Sequence, residues 1–124
     1  IDSLRSMIQD TKSAGAFPIV GTIPPVNRQY ADRNPTERNA WVKNMNDLIR
    51  SMAASERCPV AEIHGDFMKQ PSLPPLYFDF LHPNNTGYQI IAQSFFRAIT
   101  QPLAAASAAA EEESPALFLP PGRR

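Results

Sequence analysis

The sequence of 124 residues has one cysteine, no excess of either charge and no long apolar run. Cys58 alone excludes an intrachain disulfide and offers a structural zinc site no second thiolate. The 12 basic and 12 acidic residues cancel, which argues against an electrostatic track for nucleic acid or for an anionic membrane. The apolar runs, such as residues 17–23, are far shorter than the ~20 residues that span a bilayer.

The chain also has no methionine at its first position and no basic leader followed by an apolar segment. We therefore expect Ile1 to lie inside a longer protein, and the sequence leaves the compartment and the oligomeric state open. Near residue 101 the composition changes to alanine, glutamate and a Pro-Pro-Gly-Arg-Arg end. Residues 1–100 are predicted to form a domain. Residues 101–124 are predicted to form a mostly disordered tail, with a transient helix over 103–113.

The apolar pattern predicts five elements in the order helix, strand, helix, strand, helix: residues 2–14, 17–23, 35–55, 59–64 and from about 85 to 100. Helical connections between strands imply parallel pairing with right-handed crossovers. Pro24-Pro25 ends the first strand, because proline removes the donors that a sheet needs. Two strands are too few to cover three helices. The sequence therefore predicts an α/β fold whose remaining strands precede Ile1.

Two of these helices carry a one-sided apolar pattern with a period near 3.6 residues. In the second helix the pattern predicts a core face of Trp41, Val42, Met45, Leu48, Ile49 and Met52. In the last helix it predicts a core face of Tyr88, Ile91, Ala92, Phe95 and Ile99.

The most informative stretch runs from Tyr77 to Ala92 and contains Asp79 and His82, three residues apart in a loop before a helix. A carboxylate this close to an imidazole can accept one ring N–H, which fixes the tautomer and leaves the other nitrogen free as a base. The alternative interpretation is a solvated loop pair, or an aspartate that caps local amides.

Asp-x-x-His-Pro-Asn, followed by Gly-Tyr and Ile-Ala at the start of the last helix, resembles the final motif of SGNH/GDSL hydrolases. The order of elements over residues 1–100 is similar to the C-terminal half of that family. The resemblance implies a three-layer α/β/α sandwich with a parallel, flavodoxin-like sheet, and ester hydrolysis by a serine nucleophile. It also implies that His82 is the general base and that Asp79 orients it. It requires no cofactor or metal, and it is compatible with a secreted or periplasmic protein.

The chain departs from the family in its other motifs. The family's nucleophile lies in a Gly-Asp-Ser turn, and a Gly-x-Asn-Asp motif supplies oxyanion donors; neither occurs here. Gly65-Asp66 is followed by Phe67 and is not the nucleophile turn. We therefore expect the fragment alone to be inactive and another segment of the parent protein to supply the serine.

Four residues were assigned to contacts with a small-molecule ester: Arg28, Tyr30, Tyr77 and Phe78. For the aromatic residues beside the pair, the alternative is that they pack the loop down. Two further functions remain open. One is a non-catalytic binding domain with the same fold. The other is a metal-dependent phosphoesterase fragment, in which imidazole and carboxylate ligands converge on one ion. The ligands in that case would be His64, Asp66, Asp79 and His82.

Overall fold

The computed structural model describes the backbone of residues 1–112 and the side chains of residues 1–101. Over residues 1–112 the order of helices and strands is α1 (Asp2–Ser13), β1 (Val20–Gly21), α2 (Pro35–Ser55), β2 (Val60–Ala61), α3 (Ile63–Met68) and α4 (Asn85–Glu112). Short 3-10 turns lie at Ala31–Arg33 and Pro74–Leu76. The predicted order of elements is therefore present, with α3 as an addition.

The two strands pair in parallel, with Val20 opposite Val60 and Gly21 opposite Ala61. The backbone N–H of Val20 donates to the carbonyl of Pro59 at 3.1 Å, which begins the ladder. Each strand has only two residues, whereas strands of six or seven residues were predicted. The prediction of an α/β fold with a parallel sheet is confirmed.

The second strand ends earlier than predicted because the chain turns directly into α3. Thr22 Oγ1 accepts the backbone N–H of His64 at 2.9 Å, so the end of β1 holds the first turn of this helix. His64 and Asp66 therefore lie on a helix, and the prediction that the second strand extends to His64 is wrong.

The core lies on both sides of the strand pair. On one side, α1 and α2 pack over a cluster of Ile8, Val20, Ile49, Met52, Ala53 and Cys58. On the other side, α3 and α4 pack over a cluster of Ala61, Ile63, Phe67, Leu76, Tyr77, Ile90 and Ala98. At Gly21 a Cβ atom would lie 2.8 Å from Ile63 Cδ1 and 3.2 Å from the Phe95 ring, so the second layer approaches the backbone closely. Helices thus cover both faces of the strand pair.

The core faces of α2 and α4 differ from those predicted. Trp41 and Leu48 are 57% and 53% exposed, and Tyr88 and Ile99 on α4 are 57% and 47% exposed. On α2 the predicted residues Val42, Ile49 and Met52 are buried, and Asn46 and Ala53, which were not predicted, are buried with them. On α4 the buried residues are Gly87, Ile90, Ser94 and Ala98. The buried residues that the apolar pattern did not predict include three with specific tertiary contacts: Asn46 with Ile23, Ser94 with Asp66 and Gly87 with Leu76.

Helix α4 has 28 residues and ends at Glu112, so it passes the predicted domain boundary at residue 100. The remainder of the predicted tail, residues 113–124, lies outside the described residues. Within residues 1–112, no helix combines the length and the apolar character that crossing a membrane requires.

Candidate active site

Asp79 and His82 form a hydrogen-bonded pair in the loop before α4. His82 Nδ1 lies 2.7 Å from Asp79 Oδ2. The other carboxylate oxygen, Oδ1, accepts the backbone N–H of Leu81 at 2.8 Å and that of His82 at 2.6 Å. Asp79 thus both contacts the ring and caps local amides, because each task uses a different oxygen.

The charge of the pair follows from these contacts. The backbone N–H of His82, its ring and the backbone N–H of Leu81 lower the pKa of Asp79 to about 2, so the carboxylate is ionised at neutral pH. The His82 side chain is 67% exposed. Among the described residues, no hydrogen bond involves its Nε2. When Nδ1–H donates to the carboxylate, Nε2 carries a free lone pair and can accept a proton.

The loop that carries the pair, residues 77–84, is called the His82 loop below. Short-range hydrogen bonds close its base. The backbone N–H of Phe78 donates to the carbonyl of His82 at 2.8 Å, and the backbone N–H of Asn84 donates to the carbonyl of Leu76 at 2.9 Å. Asn84 Nδ2 also donates to the carbonyl of Pro75 at 2.8 Å. These three hydrogen bonds therefore fix the conformation of the turn that carries the imidazole.

The start of α4 is fixed against the same turn. Asn84 Oδ1 accepts the backbone N–H groups of Thr86 at 3.0 Å and Gly87 at 3.1 Å, which satisfies two amides of the first helical turn. A Cβ atom on Gly87 would lie 2.4 Å from the carbonyl oxygen of Leu76 and 2.8 Å from Pro83 Cβ. Glycine is required here because the helix start touches backbone.

The loop after β1, residues 22–34, is called the β1–α2 loop, and it is joined to the His82 loop. The buried hydroxyl of Tyr77 donates to the carbonyl of Pro25. The backbone N–H of Asn27 donates to the carbonyl of Phe80 at 2.9 Å, and its Nδ2 to the carbonyl of Asp79 at 3.4 Å. Nothing in the sequence around Asn27 predicts this role, because its partners lie more than 50 residues later in the chain.

Two asparagines of α2 hold the β1–α2 loop from the other side. Asn46 accepts the N–H of Ile23 at 2.7 Å and donates to its carbonyl at 2.9 Å. Asn39 accepts the N–H of Val26 at 2.9 Å and donates to its carbonyl at 3.3 Å. Both carboxamides therefore replace the backbone partners that the chain loses around Pro24-Pro25.

Phe80, between Asp79 and His82, gathers residues of the β1–α2 loop and α2 around its ring. The Tyr30 ring meets it edge-on with centroids 6.4 Å apart. The guanidinium carbons of Arg33 and Arg38 lie 5.4 Å and 5.6 Å from its centroid. Two guanidinium groups thus lie beside the ring of the residue that follows Asp79.

Two clefts of different polarity flank the His82 loop. The apolar cleft has a volume of about 480 Å³ and is lined by Ile23, Pro24, Val26, Arg38, Trp41, Val42 and Leu81. The polar cleft is more open, has a volume of about 500 Å³ and is lined by Phe78, Pro83, Asn84, Asn85 and Thr86. Both volumes fall in the range of small-molecule sites, about 300–1,000 Å³.

The structure separates the four residues assigned to substrate contacts. Phe78 is 81% exposed and lines the polar cleft, and Tyr30 reaches the loop through Phe80. Arg28 lies away from the pair, in a third cleft along α2. Tyr77 is 6% exposed, and burial raises the pKa of its phenol. Of the two interpretations given for Tyr77, the geometry favours packing of the loop, because the side chain lies in the core.

The metal alternative requires His64 and Asp66 to converge with the Asp79–His82 pair, and the structure does not bring them together. Asp66 is buried and faces α4, where it accepts the Ser94 hydroxyl at 2.5 Å and pairs with Arg97. Among residues 1–101, whose side chains the structure describes, no group of three or more histidine, cysteine or carboxylate side chains could hold a metal ion. This geometry leaves the metal alternative unsupported.

The charge of Asp66 is also explained without a ligand. Burial alone would raise its pKa, but the hydroxyl of Ser94 and the charges of Arg97 and Lys69 lower the pKa below its usual value. We read this cluster as an internal tie between α3 and α4.

Comparisons with solved structures place this geometry in a known fold. The acetylxylan esterase Axe2 from Geobacillus stearothermophilus is 21% identical, with a TM-score of 0.64, over 79% of this chain and 44% of the esterase. LAE5, an alpha/beta hydrolase enzyme from the metagenome of Lake Arreo, Spain, is 24% identical, with a TM-score of 0.64, over 78% of this chain and 44% of that enzyme. The chain therefore spans less than half the length of these structures.

No curated protein matches the chain. The model of the GDSL-like Lipase/Acylhydrolase family, however, matches residues 1–90, which include the whole His82 loop. The predicted SGNH/GDSL-type fold is confirmed by the structural neighbours and by this match. Since the match covers well over half of the sequence, the chain belongs to the GDSL-like lipase/acylhydrolase family.

Proposed function

We propose that the protein containing this chain hydrolyses carboxylic esters, with His82 as general base and Asp79 as its orienting partner. The observation that carries this proposal is the arrangement of the ring nitrogens. Nδ1 is 2.7 Å from an ionised carboxylate, and Nε2 is on an exposed side chain with no described partner. This is the arrangement that a serine hydroxyl needs from a base.

The reaction proceeds in two steps. His82 Nε2 takes the proton of a serine hydroxyl as the serine oxygen bonds to the ester carbonyl carbon. The tetrahedral intermediate then collapses, the bond to the alcohol oxygen breaks, and His82 returns the proton to the leaving alcohol. Water attacks the acyl-enzyme in the same way, with the proton again passing through His82. Asp79 stays ionised and stabilises the imidazolium. No metal or cofactor takes part.

The serine and its oxyanion donors come from a segment outside the 124 residues, because the sequence contains neither Gly-Asp-Ser nor Gly-x-Asn-Asp. The fold permits this, since the chain covers only 44% of the esterase structures that it resembles. Preorganised oxyanion donors contribute roughly 10²–10³ each in rate, so the chain alone is expected to be inactive.

The two clefts suit different parts of an ester substrate. The apolar cleft suits the acyl group, and the polar cleft, with exposed Phe78 and the amide side chains of Asn84 and Asn85, suits a hydroxylated alcohol. A sugar ester such as an acetylated xylan is one member of this class, in keeping with the substrate named for Axe2.

Hydrolysis of short p-nitrophenyl esters by the complete gene product tests the proposal. His82→Ala should lower kcat/KM by about 10³-fold or more, because the base acts in both steps. His64→Gln is the matched control, since His64 lies on α3 away from the pair. Activity that survives His82→Ala, or a complete gene product that binds esters without cleaving them, contradicts the proposal; the second result supports the binding domain.

A further inference from the structure

Three hydrogen bonds, made by two buried residues, join the β1–α2 loop to the His82 loop. At the start of the His82 loop, the hydroxyl of Tyr77 donates to the carbonyl of Pro25 in the β1–α2 loop. Two residues after Pro25, the backbone N–H of Asn27 donates to the carbonyl of Phe80, and its Nδ2 donates to the carbonyl of Asp79. We call Tyr77 and Asn27 together the loop clamp.

The loop clamp lies in the protein interior although the pair that it holds is exposed. Tyr77 is 6% exposed and Asn27 is 3% exposed, whereas the His82 side chain is 67% exposed. An exposed imidazole gains little order from its own surroundings, so its direction depends on how firmly the backbone on either side is held. The clamp acts at this backbone, at and beside Asp79.

We propose that Tyr77 and Asn27 are positioning residues, which keep the Asp79 carboxylate in the place where it holds the Nδ1–H tautomer of His82. The inference deepens the proposed function and rests on it for its catalytic consequence. Its structural part concerns the pair alone. Neither residue touches the reacting atoms, so both act through the carbonyls that they bind.

A purely structural role is the competing explanation. Asn27 Oδ1 also accepts the backbone N–H of Gln29 at 3.1 Å, which stabilises a local turn. Tyr77 also packs edge-on against Phe67, with ring centroids 5.7 Å apart. Loss of stability in a variant is therefore no evidence for positioning, and the readout must come from the imidazole itself.

The test uses ring ¹⁵N chemical shifts in the 124-residue chain, because they report which imidazole nitrogen carries the proton. The chain has only two histidines, and His64 serves as the internal reference. Tyr77→Phe removes one oxygen and keeps the aromatic ring. We expect the His82 signals to shift from the Nδ1–H form toward a mixture of tautomers, while the His64 signals stay unchanged. Asn27→Ala should act in the same direction and serves if Tyr77→Phe does not fold.

Ser94→Ala is the matched control for stability. Ser94 is 2% exposed and binds Asp66 of α3, about two helical turns along α4 from Gly87 and the His82 loop, so its loss destabilises without releasing the clamp. We expect a lowered unfolding midpoint with unchanged His82 signals. If Ser94→Ala shifts the His82 tautomer as much as Tyr77→Phe does, or if both clamp variants keep the wild-type tautomer, the proposal is overturned.

The complete gene product separates this proposal from the esterase proposal. Tyr77→Phe should lower kcat by about 10- to 100-fold with little change in KM, as expected for a misplaced catalytic group. A tautomer shift in a protein that hydrolyses no ester leaves the clamp intact and removes the proposed function. Full activity in both clamp variants, with hydrolysis still dependent on His82, would contradict the positioning role of the clamp and leave the esterase proposal standing.

Discussion

Asp79 holds His82 by two separate contacts, one to the ring and one to the backbone. Oδ2 lies 2.7 Å from Nδ1, and Oδ1 accepts the backbone N–H of the same residue at 2.6 Å. The imidazole and the peptide that carries it are thus fixed by a single carboxylate. Since the two contacts use different oxygens, substitutions can separate them.

Asp79→Asn and Asp79→Ala should separate orientation from loop structure. An asparagine oxygen can still accept the backbone N–H groups, but its NH₂ group cannot accept Nδ1–H, so the wrong tautomer is favoured. We expect both variants of the complete gene product to lose up to about 10⁴-fold in kcat. Asp79→Ala should lose more stability in urea unfolding than Asp79→Asn, because only the asparagine keeps an acceptor for the two backbone N–H groups. Near wild-type activity in Asp79→Asn contradicts the assigned orientation.

The same carboxylate should make stability depend on pH. Its pKa is about 2 in the folded protein and near 3.8 when unperturbed, so its contribution is present above pH 3.8 and is lost as pH falls through about 2. We expect the free energy of unfolding of Asp79→Asn to fall less steeply between pH 5 and pH 2 than that of wild type. The pKa values of Asp66 and Glu56 are also lowered, and both residues remain in the variant, so some slope persists. Urea titrations across this pH range give the comparison, and identical slopes contradict it.

Gly87→Ala tests the close approach between the start of α4 and the base of the His82 loop. The added methyl group would lie 2.4 Å from the backbone oxygen of Leu76, which cannot move aside as a flexible side chain would. We expect a loss of about 1–3 kcal/mol in the free energy of unfolding. Gly65→Ala is the control, because nothing lies within 4 Å of its Cβ position in α3, and helix propensity favours alanine by about 0.5–1 kcal/mol. Equal changes in the free energy of unfolding at the two glycines would contradict the close contact between Gly87 and Leu76.

Trp41 offers a direct measure of the apolar cleft, because it is the only tryptophan in the chain and lines that cleft. Its 57% exposure predicts ready quenching of the fluorescence by acrylamide. Octanoate, as a mimic of an acyl group, should change the fluorescence in a saturable way. Leu81→Asn should weaken this binding by about tenfold, since an apolar contact of roughly 1–2 kcal/mol is removed.

Leu48→Asn is the control for the octanoate titration. Leu48 is 53% exposed on the same helix but does not line the apolar cleft. We expect it to leave the octanoate response unchanged. An equal effect of both substitutions indicates non-specific adsorption to exposed apolar side chains and contradicts an acyl site.

The Asp79–His82 contact could be foreseen because it is encoded locally. Three residues of spacing and a following proline leave the loop few conformations, and family resemblance supplies the same pairing. The element order was also foreseeable, since it follows from short-range apolar patterns. The parallel pairing of β1 and β2 follows from the helix between them.

The core faces and the loop contacts could not be foreseen because they depend on tertiary partners. Asn46 looks like a solvent-facing residue in an apolar pattern, yet it is 1% exposed and satisfies the backbone of Ile23. Ser94 is buried for a similar reason, through Asp66. Tyr77 was assigned to a pocket because it neighbours the pair, but its hydroxyl finds a carbonyl 52 residues earlier in the sequence. Hydrophobic period alone carries no information about such partners.

The hydrogen bonds of Asn39 and Asn46 to the β1–α2 loop limit which insertions and deletions natural variants can carry. The two residues are seven positions apart, two turns of one helix, and they grip Ile23 and Val26, three positions apart in the loop. A deletion or insertion of one residue between Asn39 and Asn46 would rotate one carboxamide away from the loop. The same change between Ile23 and Val26 would move one backbone target away from its carboxamide. This region should therefore tolerate changes in side chain far better than changes in length.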